Sequence, residues 1–267
     1  MFKDMLKELS FLVGNPYFTS INKIKRYVGR GNEINMPPMF LRKRVHGARD
    51  IYSFLKVGKN CARDLTNSLK IIGRDWSNFS MVLDFGCGCA RVLRHLKEHS
   101  KYCHFFGTDI DPETIFWCRN NIDYADFFKC NSLPPLKYPQ ETFDLLYGVS
   151  VFTHLNEEYQ FLWLDELRRI AKKKAVLLMT VQGSLIPEIG NHCGSDLTPE
   201  EISILRSRQI FSRKPKLTDF FAAYESYRHT YHTKDYIYKK WSEYFKIVEY
   251  ITRGLNNHHD VVVLEKK

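Results

Sequence analysis

The chain has 267 residues, 44% of them hydrophobic and 26% charged, with seven cysteines and a formal net charge of +10. This is the make-up of an ordinary globular protein with one substantial core, or one core plus a helical appendage. No apolar run approaches the roughly 20 residues that cross a bilayer. The first residues include Asp4, Lys7 and Glu8 and lack a small-residue cleavage site, unlike a signal peptide. An odd cysteine count with no C-x-x-C pair points to reduced thiols and a cytoplasmic location.

The basic charge is concentrated at one end. Residues 1–75 hold 15 Lys and Arg against 6 Asp and Glu, and the rest hold 25 against 24. Such a segment suits nucleic acid, anionic lipid, an acidic small substrate or a plain solvated surface. Within it, Phe2, Met5, Leu6, Leu9 and Leu12 recur at helical steps, giving an amphipathic helix over 2–13. Its apolar face suits packing on its own domain, a partner or a membrane surface. Lys23 to Arg30 is basic, and Gly31-Asn32 and Pro37-Pro38 break regular structure. From 40 to 70 the helical pattern returns, with Phe54 and Val57 assigned to one face and Leu65, Leu69 and Ile72 to another.

From Met81 strands are predicted at 81–85, 104–109, 125–129, 143–148 and 175–181, alternating with helices at 89–99, 113–121 and 157–171. That alternation implies a parallel sheet covered on both faces, with ligands bound beyond the carboxyl ends of its strands. Residues 184–240 break the rhythm and read as a substrate lid. In it, Leu197-Thr198-Pro199-Glu200-Glu201 starts a helix, with Thr198 as cap and Pro199 in the first turn. Strands at 244–251 and 259–265, joined by Gly254-Leu255-Asn256-Asn257, close the chain as an antiparallel edge.

The chemistry centres on Val82-Leu83-Asp84-Phe85-Gly86-Cys87-Gly88, a strand ending in an acid and a glycine turn where a ligand can touch backbone. Asp109 closes the next strand about 20 residues on, where an acid can accept both hydroxyls of a ribose.

From about residue 75 the chain resembles the class I S-adenosylmethionine-dependent methyltransferases. Val82 to Gly88 is similar to that family's first motif and Gly107-Thr108-Asp109-Ile110-Asp111-Pro112 to its second. Phe143 to Tyr147, then Ser150-Val151-Phe152-Thr153-His154-Leu155, resemble the fourth strand and its loop, and Trp163 to Arg169 the helix after it. Asn131 to Leu136 and the ending Gly254 to Leu264 resemble a bacterial subgroup associated with polysaccharide or secondary-metabolite genes. The resemblance implies an α/β fold, a Rossmann-like seven-stranded, mostly parallel sheet with an antiparallel edge. Residues 76–267 would be the methyltransferase domain, with the lid at 184–240 and a basic helical cap at 1–75.

It also implies S-adenosylmethionine as cofactor. Gly86, Cys87 and Gly88 would approach the methionine part and Asp84 would orient its ammonium. Asp109 would take the ribose hydroxyls, Ile110 would press on the adenine, and Asn131 and Leu133 would lie at its edge. Gly148 and Val149 would offer carbonyls to the ammonium. There are departures from the family pattern. Ala90 stands where many relatives have a third glycine, Asn131 replaces a common acid, and Lys172-Lys173-Lys174 replaces a Pro-Gly-Gly turn before the fifth strand.

Methyl transfer is an in-line displacement, helped by alignment, by exclusion of water and, for a hydroxyl acceptor, by a base. His154 is the first candidate base, balanced against a structural histidine in a loop; His229, Tyr231 and His232 are the second. Arg42, Lys43 and Arg44 would clamp a phosphate or carboxylate if the cap folds over the pocket, or form a surface cluster. His229-x-x-His232 and His258-His259-Asp260 lack a third ligand at defined spacing, so no metal is expected. Gly148-Val149-Ser150 stands where relatives acting on adenine or glutamine nitrogen carry Asp/Asn-Pro-Pro-Tyr/Phe, and no Pro-Cys pair serves cytosine C5. The leading expectation is methylation of an O or N on a small molecule or glycan. The alternative is an RNA methyltransferase or nucleic-acid-binding module using the basic N-terminal segment.

Overall fold

The computed structural model describes residues 36–47, 50–183, 197–215 and 227–267. The expected helix at 2–13, the basic run at 23–30 and parts of the lid lie outside the described residues. Seven strands form one sheet in the order β3-β2-β1-β4-β5-β9-β8. In chain order these are β1 (Met81–Phe85), β2 (His104–Asp109), β3 (Ala125–Lys129), β4 (Phe143–Gly148), β5 (Ala171–Val181), β8 (Lys246–Leu255) and β9 (His259–Glu265). The first five are parallel, and β9 and β8 add the antiparallel edge. The chain reverses direction across the sheet at β1, whose two neighbours are β2 and β4, and the crevice beyond their carboxyl ends is where such sheets bind ligands.

Alternation along each strand divides the core into two layers. Val82, Phe105, Leu145 and Leu178 face α2 (Ile51–Ile71) and α3 (Pro112–Asn121). Leu83, Leu146, Leu177 and Val262 face α4 (Glu157–Ile170) and α6 (Lys234–Lys240). The two faces expected for α2 are one: Phe54, Cys61, Leu65 and Leu69 all bury in the same cluster as β1 and β2. Eleven residues, the step from Phe54 to Leu65, make about three turns and return to the same side. Before α2 comes α1 (Met39–His46), which buries Leu41 against this layer.

The helix expected at 89–99 is instead two 3₁₀ segments, Leu93–His95 and Lys97–Lys101. Ala90 takes φ 55°, outside the helical region, and the amides of His95 and Leu96 bond three residues back, to Val92 and Leu93. Leu93 and Leu96 keep their three-residue spacing in either helix type, so the apolar pattern does not separate the two. Lys172, Lys173 and Lys174 lie in a bulge near the start of β5: Ala171 pairs with Phe143, the ladder resumes with Val176 beside Leu145, Lys174 takes φ 65°, and Lys172 Nζ lies 3.0 Å from Asp144 Oδ2. That aspartate also accepts the amides of Ser80 and Met81 at 3.0 and 2.8 Å.

Within the expected lid lie α5 (Pro199–Arg208) and the antiparallel pair β6 (Ile210–Arg213) and β7 (His229–His232). Thr198 caps α5 through a capping box with Glu201 and Pro199 opens the helix. Asn156, the N-cap of α4, accepts from the Tyr159 amide at 3.0 Å and thereby holds the loop carrying His154. Asn156→Ala is expected to cost about 1 kcal/mol, read as a lower urea midpoint, and Asn156→Gly only a few tenths.

Candidate active site

A cavity of about 940 Å³ opens at the carboxyl ends of β1, β2 and β4. Its floor is the glycine turn. Gly86 takes φ 77° and Gly88 φ 52°, values that only glycine adopts without strain. Space adds a second demand: a Cβ on Gly86 would stand 2.3 Å from Val151 Cγ2, and one on Gly88 2.7 Å from Val45 Cγ2. The turn is tied to β2 by backbone, with the amides of Gly86 and Cys87 both donating to the Thr108 carbonyl at 2.8 and 2.9 Å. The Cys87 amide is therefore committed inside the protein.

Two carboxylates face this floor, Asp84 buried and Asp109 half-buried. Asp109 Oδ2 accepts the Gly88 amide at 2.8 Å and Oδ1 the Asp111 amide at 2.9 Å, so this carboxylate staples the two loops together. Asp84 Oδ2 accepts the Tyr147 hydroxyl at 2.9 Å. Burial raises Asp84 to about 8, partly offset by the Tyr147 hydrogen bond, with Asp109 adding repulsion. Asp109 is raised to about 6, again chiefly by burial, its two amide donors opposing the shift.

The cavity wall brings together segments far apart in sequence. Val45 and His46 of α1 line it, held by Arg44, whose Nη1 lies 2.9 Å from Asp111 Oδ2 and 2.5 Å from Glu113 Oε2. Arg91 donates to His46 Nδ1 at 3.0 Å, which leaves the other ring nitrogen to donate to Ser53 Oγ at 2.8 Å. Of the three cations in the expected clamp, Arg44 is bound to these acids and Arg42 is buried with Nη1 on the Pro37 carbonyl, while Lys43 lines the cavity.

Ile110 and Val149 line the cavity. Asn131 and Leu133 are exposed and do not; the flanking Cys130 and Ser132 do, the latter with its carbonyl held by Trp163 Nε1 at 3.2 Å. The Gly148 carbonyl accepts from Thr180 Oγ1 at 3.3 Å, and Gly148 is not part of the wall.

His154 and His229 stand on the wall and their rings lie 5.5 Å apart. His154 Nδ1 is 3.1 Å from the Arg228 carbonyl, which can only accept, so Nδ1 carries the hydrogen and Nε2 the lone pair. The Tyr227 hydroxyl lies 3.4 Å from that Nε2, and the Tyr227 ring stacks on His154 at 4.5 Å. Tyr231 reaches only an adjoining pocket. His232 is fully buried, its Nε2 2.9 Å from Gln160 Oε1, and burial lowers it to about 3. It reaches neither space.

Sequence reasoning passes over Val45, His46, Arg91 and Tyr227, which no local pattern marks, and treats His258 and His259 only as absent metal ligands. Among the described residues no group of three His, Cys, Asp or Glu could hold a metal ion. The six described cysteines are free thiols, and no described helix is long and apolar enough to cross a membrane.

The residues present fit S-adenosylmethionine. Asp84 and Asp109, both raised chiefly by desolvation, flank the glycine turn, an acidic setting that suits a cation and a diol. Residues 82–174 match the family model described as a methyltransferase domain. Among solved structures the chain is similar to a 1,6-didemethyltoxoflavin N1-methyltransferase of Burkholderia thailandensis, at 14% identity and TM-score 0.55, covering 85% of each chain. That structure holds 1,6-didemethyltoxoflavin and S-adenosylhomocysteine. It is also similar to an S-adenosylmethionine-dependent methyltransferase of Methanosarcina mazei, at 19% identity and TM-score 0.51, covering 70% of this chain and 92% of that one. With the glycine turn, the two carboxylates and the strand order in place, the chain has the fold of these S-adenosylmethionine-dependent methyltransferases and carries a methyltransferase domain over residues 82–174.

Proposed function

We propose that this enzyme methylates an oxygen or nitrogen of a small molecule or glycan held between the glycine turn and His154. S-adenosylmethionine, when bound, supplies an electrophilic methyl on its sulfonium. Asp84 and Asp109 take its ammonium and ribose hydroxyls, Gly86 and Gly88 admit its methionine part, and Ile110 with Val149 packs its apolar faces. Phe40 and Lys43 to Gly47 of the expected cap and Tyr227 with His229 of the expected lid line the cavity and shield it from water. His154 accepts the proton of a hydroxyl acceptor at Nε2, its tautomer fixed by the Arg228 carbonyl and its ring held by Tyr227.

The observation that carries this reading is that His154 and its oriented lone pair share one cavity with the glycine turn. Transfer of tritiated methyl to mixed hydroxyl- and amine-bearing small molecules, oligosaccharides and RNA tests it. Label in small molecules or oligosaccharides supports it, and label confined to RNA overturns it.

The carboxylates give cofactor binding a pH signature. Asp84 is raised above its unfolded value, so the native protein holds that proton up to about pH 8. A cation prefers the ionised form, so binding expels the proton. Affinity is expected to climb with pH, by up to about tenfold per unit for one proton, and level off above about 8. Calorimetry at pH 7 in two buffers of different ionisation enthalpy should register roughly one proton released. Buffer-independent heats would refute this.

A further inference from the structure

Beyond His154 the cavity continues into an adjoining pocket of about 310 Å³ that no step described so far uses. The two spaces share Ser150, His154, His229, His258 and His259. The adjoining pocket has four histidines and Arg213 on its walls and, among the described residues, no carboxylate, whereas the glycine-turn cavity mixes Asp84, Asp109 and Asp111 with Lys43, Arg44 and Arg91.

The charged groups nearby do not cancel this asymmetry. Glu201 Oε2 lies 3.3 Å from Arg213 Nη1 but is not part of the lining. Asp260 follows His259 in the chain, yet its oxygens are taken by the Tyr250 hydroxyl at 2.6 Å and the Arg253 amide at 2.7 Å, away from the pocket. His258, in the turn after β8, and His259, which opens β9, pack ring to ring at 4.6 Å. Burial is the main cause that lowers His259 to about 3, so its ring stands neutral and meets an anion as an N–H donor.

From this arrangement we infer that the methyl acceptor carries a carboxylate or phosphate group, which His229, His258, His259 and Arg213 hold in the adjoining pocket. The inference rests on the acceptor site proposed above and narrows its substrate class. Imidazole N–H groups and a guanidinium offer hydrogen-bond donors to such an anion. An acceptor anchored there extends past His154 toward the glycine turn, which presents its nucleophile to the base. The carboxylates that take the cofactor's ammonium and ribose lie outside this pocket, so the two ligands are told apart by their partners.

Histidine side-chain NMR on the full chain saturated with S-adenosylhomocysteine tests this. Benzoate, phenyl phosphate and the neutral benzyl alcohol serve as probes, at ionic strength matched with sodium chloride. At least one anion is expected to bind about tenfold or more tighter than benzyl alcohol and to shift the His229, His258 and His259 resonances. The anion that wins separates carboxylate from phosphate. His229→Asn and His258→Asn should each weaken it about tenfold. Equal binding of all three probes, no saturable anion binding, or shifts confined to other histidines overturns the inference. The Gly88 amide resonance reports S-adenosylhomocysteine separately. If it fails to move, the cofactor site itself is refuted, whatever the anions do.

Discussion

Asp109→Ala is expected to lower S-adenosylmethionine affinity by about 10²- to 10⁴-fold. The ribose diol offers two hydrogen bonds to a charged acceptor, each worth about 1.5–3 kcal/mol, and about 1.4 kcal/mol is a factor of ten. A second loss is built into this site. The same carboxylate receives the Gly88 and Asp111 amides, so alanine also releases the glycine turn from the loop that follows β2. Asp109→Asn separates the two effects. It keeps an acceptor oxygen for one amide but loses the charge and half the acceptor capacity, so its affinity should fall between wild type and alanine. Calorimetric titration with S-adenosylmethionine gives the affinities, and thermal unfolding without ligand shows whether each variant is folded. Wild-type affinity in a folded Asp109→Ala protein would remove the ribose assignment. The stapling role predicts a lower melting temperature for alanine even without ligand.

The strands of the sheet were readable because each alternates or runs apolar between clear breaks. β1 to β4 and β9 begin and end where the pattern of residues places them. β5 is read from 175, beside Val176 where its ladder with β4 resumes; the lysines before it sit in a bulge that carries their charges to Asp144 and Glu265. The segment after the glycine turn failed for a different reason: buried leucines three apart satisfy two helix types, and only the left-handed backbone at Ala90 decides between them.

The site was legible in half. The donor side is local, a turn and an acid at the ends of adjacent strands, and its residues could be read from motif and spacing. The acceptor side is assembled by long-range contacts that leave no periodic trace. His46 arrives because Arg44 pairs with acids 67 and 69 positions on. Tyr227 arrives because its segment bridges to Leu155. His258 and His259 arrive because an edge hairpin turns beside the β4 loop. Conversely, the resemblance puts Asn131 and Leu133 at the adenine edge, whereas the loop after β3 brings Cys130 and Ser132 to the cavity wall.

His154→Gln is expected to lower kcat by about 10²- to 10⁴-fold for a hydroxyl acceptor, the usual worth of a positioned base. Glutamine retains an amide N–H that can meet the Arg228 carbonyl, so the loop keeps its shape while the basic nitrogen is lost. Cofactor affinity should therefore stay near wild type, which places the loss in the chemical step. At saturating S-adenosylmethionine, where the Asp84 proton no longer limits binding, a base at His154 predicts a wild-type rate that rises with pH and a limb that vanishes in the variant. Tyr227→Phe removes the hydroxyl beside Nε2 but leaves the stacked ring, so it should cost no more than about tenfold. Its pH limb should persist, shifted but not abolished. The two variants together distinguish a base from a structural histidine. A structural role predicts weaker cofactor binding or a lower melting temperature in His154→Gln, with the pH limb intact. A neutral amine acceptor, which brings its own lone pair, predicts near-normal kcat in both, and would assign the enzyme to nitrogen methylation.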